Sequence, residues 1–243
     1  MSELDPSTEA WLNLALDHAL AGLHHNGGLA PEAGAMLRQS VRRLERYPAG
    51  ALVNASTRKP EVKWIVTGWA SEMRILPDSR RQICSFLIPG DVFTARPANS
   101  SSCGVVALTR MDCADVERTL DGSPEPIRPA VWEAVARSLS LMLERRYEHI
   151  TRLGQLGAAE RLVHLLLELR ERLETVGLAA PDKFRLPLTQ EHLADALGLS
   201  IVHVNRTLRH LRAQRLLEVK FGGVALLQPA RLADIAGRFD EPV

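Results

Sequence analysis

The run Leu188-Thr189-Gln190-Glu191-His192-Leu193-Ala194-Asp195-Ala196-Leu197-Gly198-Leu199-Ser200-Ile201-Val202-His203-Val204-Asn205-Arg206-Thr207-Leu208-Arg209-His210-Leu211-Arg212 decides how this chain is read. Thr189 suits a helix N-cap, where its hydroxyl accepts a free backbone N–H. Leu193, Ala194 and Leu197 then form the inner face of a short helix. Gly198 permits a left-handed turn, and Ser200 caps the next helix. In that helix Val204, Leu208 and Leu211 recur at i, i+4 and i+7 and dock inward, with Ile201 joining at the start. The pattern predicts a helix-turn-helix whose second helix runs from about Ser200 to Arg212.

Apart from Val202, what remains outward on that helix is polar: His203, Asn205, Arg206, Arg209, His210 and Arg212. Arginine matches guanine O6/N7 and asparagine matches adenine N6/N7 in a major groove, while further cations meet phosphates. The whole chain carries 30 Lys and Arg against 29 Asp and Glu. Yet Ser200–Lys220 holds Arg206, Arg209, Arg212, Arg215 and Lys220 against Glu218 alone, so positive charge gathers here. Leu216–Phe221 and Val224–Leu227, joined at Gly222-Gly223, read as a hairpin, which makes the unit a winged helix. The DNA-contacting set is Thr189, Gln190, Ser200, Val202, His203, Asn205, Arg206, Arg209, Arg212 and Lys220. Of these, His203, Asn205 and Arg206 are the base readers, and Arg209 and Arg212 the phosphate contacts. A helical hairpin used for protein contacts would leave the caps, the glycine turn and the charge clustering unexplained together.

Upstream, Ala158 to about Thr175 is amphipathic through Leu162, Leu165, Leu166, Leu169 and Leu173, with Gly177 as its C-terminal cap. A loop through Pro181 and Pro187 follows. Gly154 and Gly157 mark a break before this helix. Ahead of them a long helix from Pro129 to about Leu153 carries Val135, Leu139, Met142, Arg146, His149 and Leu153 on one seam. That coiled-coil-like spacing predicts dimerisation; the alternative is that the stripe is covered within one chain. The expected organisation is residues 1–128 as a sensor-like domain, 129–156 as the dimerisation helix and 157–243 as the DNA-binding domain.

From about Arg42 to Arg118 short runs such as Val62–Val66, Ala70–Leu76, Arg81–Ile88 and Gly104–Leu108 alternate with turn residues, Pro89-Gly90-Asp91 among them. Many short strands so punctuated predict a β-sandwich or β-roll. A helix over 8–24 and a shorter one from Pro31 to about Arg38 precede it. Cys84, Cys103 and Cys113 are odd in number and widely spaced, so three reduced thiols fit better than disulfides or a zinc ribbon. The start, Met1-Ser2-Glu3-Leu4-Asp5-Pro6, lacks a basic-then-apolar leader. No apolar run approaches the roughly 18 residues a membrane helix needs, so a soluble cytoplasmic protein with no membrane partner is expected. No nucleophile–base pair, metal-ligand spacing or phosphate-cradling glycine loop points to an enzyme.

These motifs resemble the Crp/Fnr family of bacterial transcription regulators. The resemblance rests on Thr189-Gln190-Glu191, Leu193-Ala194, Leu197-Gly198-Leu199, Val202-His203-Val204-Asn205-Arg206 and Ala159-Glu160-Arg161-Leu162. Gly68-Trp69-Ala70, Arg81-Gln82-Ile83 and Pro89-Gly90-Asp91 are similar to a nitrogen-fixation and oxygen-response subgroup of alphaproteobacteria. The resemblance implies an α+β fold: an N-terminal cyclic-nucleotide-binding-like β-roll (jelly roll), a long dimer helix and a C-terminal winged helix-turn-helix. It implies a homodimer on double-stranded DNA, on an inverted repeat, with RNA polymerase as a further partner. Arg206 resembles the family's base-contacting arginine. Val202 stands where many members carry a base-contacting glutamate, which shifts weight to His203 and Asn205. In cyclic-nucleotide binders a glycine–glutamate pair and an arginine–serine pair clamp the phosphate. The matching effector pocket here would be Gly90, Asp91, Arg96, Ser101 and Ser102, with serine in place of the arginine and Arg96 out of step. A buried phosphate without that cation would be poorly stabilised, so cyclic AMP dependence is not expected. No histidine or cysteine set marks a haem or iron–sulfur cofactor. The alternative is a module in which a cyclic nucleotide, or a haem or redox signal, gates DNA binding.

Overall fold

Period-two and period-3.6 stretches separate along the chain much as the sequence predicts. The structure is a computed structural model and describes residues 6–98, 103–121, 123, 127–220 and 222–237. The N-terminal elements are helices α1 (Pro6–Gly27) and α2 (Pro31–Ser40). Strands β1 (Glu45–Tyr47), β2 (Leu52–Val53), β3 (Glu61–Thr67), β4 (Ala70–Ile75), β5 (Arg81–Leu87), β6 (Val92–Ala95), β7 (Cys103–Ala107) and β8 (Met111–Asp115) follow. After them come α3 (Val116–Leu120), the long α4 (Ile127–Gln155) and α5 (Ala158–Thr175). The chain closes with β9 (Ala179–Ala180), β10 (Lys183–Arg185), α6 (Gln190–Leu197), α7 (Ile201–Ala213), β11 (Leu217–Lys220), β12 (Gly223–Leu226) and α8 (Pro229–Ala236).

Two compact units emerge: residues 1–72 with 86–143, and residues 73–85 with 144–243. This differs from a division at 128 and 156 in two places. Helix α4 is shared between the units, and residues 73–85 of the β4–β5 hairpin, most of β5 included, group with the C-terminal one.

The first unit is a β-roll of two four-stranded sheets, ordered β1-β8-β3-β6 and β2-β7-β4-β5. Alternation along β3 explains how one strand serves two cores. Ile65 joins Val53, Phe93, Val105, Met111 and Cys113 in one buried cluster. Its neighbours Trp64 and Val66 face a second cluster built with Leu16, Leu20 and Leu23 of α1 and Val131 and Val135 of α4. Close helix–strand approach needs glycine. A Cβ on Gly22 would lie 2.6 Å from Gly90 Cα, and Gly90 itself holds φ +93°. Lys63, fully buried, puts its ammonium 2.9 Å from Glu45, 2.8 Å from Glu61 and 3.4 Å from Asp115. The three carboxylates, a grouping that could otherwise suit a cation, thus already surround the chain's own lysine, with Arg118 adding a second positive charge 3.1 Å from Glu45.

In the second unit α5 is the central beam. Leu162, Leu165, Leu166, Leu169 and Leu173 are all buried, as the sequence pattern requires. Helix α4 runs on to Gln155, so Gly154 lies inside it and Gly157 alone marks the break. The loop expected through Pro181 instead holds the paired strands β9 and β10, which join the wing in a four-stranded sheet, β11-β12-β10-β9. Strands of two and three residues are too short for alternation to be visible in sequence. In the wing Lys220 pairs with Gly223, so Gly223 belongs to the strand and not to the turn, while Gly222 holds φ +71°.

Candidate nucleic-acid interface

Helices α6 and α7 are built as their sequence prescribes. Thr189 accepts from the His192 N–H at 3.1 Å and donates its own N–H to His192 Nδ1 at 3.2 Å, closing a reciprocal cap. Burial, then the Arg81 guanidinium, holds the His192 pKa below the usual histidine range. Gly198 ends α6 with φ 63° and ψ 36°, the left-handed geometry that reverses the chain. Ser200 accepts from the His203 N–H at 3.2 Å and opens α7. Val204, Thr207, Leu208 and Leu211 are buried, so the second helix is seated by four side chains, Thr207 included. Ile201 is 45% exposed and does not join them.

The inward face fixes the outward one. Val202, Arg206 and Arg209 recur at i, i+4 and i+7 directly opposite the buried stripe, and all three are exposed. His203 and Asn205 flank that line and are half-buried, while His210 and Arg212 lie further along, exposed. Among the described residues no ion pair engages Arg206, Arg209 or Arg212. By contrast Lys220 pairs with Glu218 in the wing. Thr189 and Gln190 are exposed at the start of α6. The predicted DNA-contacting residues therefore share one unit, and Arg209 stands on the same line as Arg206.

The predicted dimer seam fares differently. Val135 and Met142 are 2% and 5% exposed, inside the two β-roll cores, and Leu139 packs against both. His149 bonds the backbone of Ile83. Burial, then Arg152, pushes its pKa down to about 4. Leu153 reaches 3.6 Å from the place a Cβ on Gly198 would take. Arg146 is half-buried on the same line. The chain thus covers most of that stripe itself. Each of its positions shifted by one gives Ala136, Ser140, Leu143, Tyr147, Ile150 and Gly154, all exposed. Leu143, Tyr147 and Ile150 are 44%, 56% and 64% exposed.

Of the predicted effector set, Gly90, Asp91 and Arg96 fall among the described residues. Gly90 is pressed against α1, and Asp91 is buried with its carboxylate accepting the Ile88 N–H at 2.8 Å. Arg96 is exposed at the end of β6. Ser101 and Ser102 lie outside the described residues. The Gly90-Asp91 pair here shapes a turn. Of the cysteines, Cys113 is buried and burial pushes its thiol up to about 12; Cys84 and Cys103 are half-buried, their thiols 3.8 Å from the Gln82 carbonyl and 3.9 Å from the Glu72 carboxylate.

Sequence reading missed one group beside α6. Arg81, on β5, pairs with Glu191 and, at 3.0 Å, with Asp195. The sequence shows the Arg81-Gln82-Ile83 run, but nothing local says what such a run touches.

Residues 160–235 match the Crp-like helix-turn-helix domain family. The nitrogen fixation regulation protein FixK of Bradyrhizobium diazoefficiens is 32% identical over 168 residues, 67% of this chain and 68% of that one. The transcriptional activatory protein AadR of Rhodopseudomonas palustris is 27% identical over 223 residues, 90% of this chain and 91% of the relative. The structure of FixK2 from Bradyrhizobium japonicum superposes with a TM-score of 0.62 at 24% identity, covering 79% of this chain and 96% of that one. At that identity the superposition speaks for the fold.

Proposed function

The chain belongs to the Crp/Fnr family of DNA-binding transcription regulators, and we propose that it binds an inverted-repeat operator as a homodimer with α7 in the major groove. Family members bind DNA and act as dimers. The observation that carries the proposal is the outward line Val202–Arg206–Arg209, capped by Ser200 and free of intrachain ion pairs among the described residues. Arg206 reads a guanine, and Asn205 and His203 read its neighbours from the flanks. Val202 offers only apolar contact, such as a thymine methyl. Arg209 reaches a base edge or a phosphate, and Arg212 a phosphate; Gln190 and Ser200 present helix-start N–H groups to the backbone, and Thr189 its exposed hydroxyl. Lys220 contributes from the wing.

The dimer seam is the line Leu143–Tyr147–Ile150 with Ala136, Ser140 and Gly154, because the line one residue earlier is already occupied. Two such chains would place two copies of α7 about one helical turn, roughly 34 Å, apart. The buried Gly90-Asp91 turn supports action without cyclic AMP. RNA polymerase is the further partner this reading implies, and the cytoplasm its place; among the described residues no helix is long and apolar enough to cross a membrane. Selection of duplexes from a random pool, followed by footprinting, tests the reading. A two-fold-symmetric sequence with half-sites one turn apart is expected; an asymmetric site, or no enrichment, overturns it.

A further inference from the structure

The Arg81-Gln82-Ile83 run has no role in the reading above, yet each of its members meets the DNA-binding unit. Arg81 pairs with Glu191 and Asp195 of α6. Gln82 Nε2 donates to the Ala196 carbonyl at 3.3 Å, at the far end of the same helix. The backbone of Ile83 is bonded by His149 of α4. Three consecutive residues at the start of β5 thus grip α6 along its length and α4 behind it.

The charges matter more than the grip. Glu191 and Asp195 sit at i and i+4, on one face of α6, and Glu191 directly follows the exposed Thr189 and Gln190. Glu191 is 57% exposed. If the start of α6 approaches a phosphate backbone, two uncompensated carboxylates beside it oppose binding. Arg81 stands against both.

We propose that Arg81 is a positioning residue for DNA binding: from the β4–β5 hairpin its single positive charge offsets part of the negative charge of Glu191 and Asp195, so that the start of α6 can meet phosphate. This rests on the DNA-binding reading above.

The test uses the full-length protein and the duplex that the wild-type chain selects from a random pool. Affinity is measured at one salt concentration for wild type, R81Q, E191Q/D195N and the triple variant. R81Q is expected to weaken binding about tenfold through like-charge juxtaposition, and R81K to recover most of it. In the E191Q/D195N background the same R81Q change is expected to cost less than about twofold, as coupling within one charge network requires. E191Q/D195N alone is expected to bind as tightly as wild type or tighter, a result that does not depend on R81Q folding. Equal losses from R81Q in both backgrounds would mean that Arg81 touches DNA itself, and the proposal fails. It fails too if R81Q binds normally, or if E191Q/D195N binds more weakly. Should wild type select no duplex at all, it is the DNA-binding reading that falls.

Discussion

At the residue scale, Arg206 and Gly198 carry different kinds of weight. Arg206 is exposed opposite the buried stripe of α7, so its substitution removes a contact without disturbing packing. Arg206→Ala is expected to cost roughly 1–3 kcal/mol on the selected duplex and to relax preference at one position per half-site. A gel-shift series at fixed salt checks this; unchanged affinity and preference would refute the assignment. Arg212→Ala is expected to weaken all sequences alike and to lower the salt slope by about 1 per chain. Gly198 acts through its backbone. There is room for a side chain, since the nearest atom to a Cβ is 3.6 Å away, but φ is +63°. Gly198→Ala is therefore expected to destabilise the second unit by about 1–2 kcal/mol, the cost of a non-glycine residue in the left-handed region. Chemical denaturation measures it, and an unchanged midpoint would show that the turn relaxes.

At the element scale, α4 separates what the chain covers from what it leaves for a partner. Ile150→Asp puts a charge into the proposed seam at a position that is 64% exposed in the single chain. It is expected to give a folded monomer by sedimentation and to weaken operator binding. Val135→Asp, at 2% exposure, is expected instead to unfold the β-roll unit, because it buries an unpaired charge. If Ile150→Asp remains dimeric, the seam lies elsewhere. This helix also marks the boundary of what could be read without coordinates. Its length and its heptad spacing were legible, because 3.5-residue periodicity is a property of the chain itself. Which of two adjacent stripes meets a partner was not, because Val135 and Met142 differ from Leu143 and Ile150 only in what the β-roll presents to them. The helix-turn-helix was legible almost to the residue, since caps, glycine turn and docking leucines are all local. The β9–β10 pair and the Arg81 contacts depend on partners far away in sequence, and so were not. The effector residues were carried by resemblance alone; Gly90 and Asp91 form a buried turn, and Ser101 and Ser102 lie outside the described residues.

At the scale of the whole molecule, each unit holds a depressed carboxylate, and acid therefore acts on both. In the first unit burial would raise Glu61, but hydrogen bonds from Lys63 and Ser56 outweigh it and hold its pKa at about 2. In the second, burial likewise opposes ionisation of Glu168, while Arg152 and Arg172 overcome it and hold that pKa at about 2. A carboxylate depressed in the fold binds its proton in the unfolded chain first. Its stabilisation is complete above the unfolded value near 4.5 and is lost as pH falls towards 2. His149 works earlier on the pH scale. Held neutral by burial, with a pKa of about 4 against an ordinary 6.5, it lets the unfolded chain take up a proton that the folded chain refuses. Its effect is thus absent above pH 6.5 and grows as pH falls to 4. The second unit is consequently expected to lose stability in two stages, the first between pH 6.5 and 4 and the second between 4.5 and 2. Each stage is worth up to about 2–3 kcal/mol for a mostly buried group. His149→Gln is expected to flatten the first stage only. Glu168→Gln is expected to flatten the second, while destabilising the unit at neutral pH by leaving the Arg152 and Arg172 charges uncompensated. Urea midpoints followed across pH for the three proteins separate these effects. A second stage that persists in Glu168→Gln would move the acid sensitivity to other carboxylates and remove Glu168 from the account.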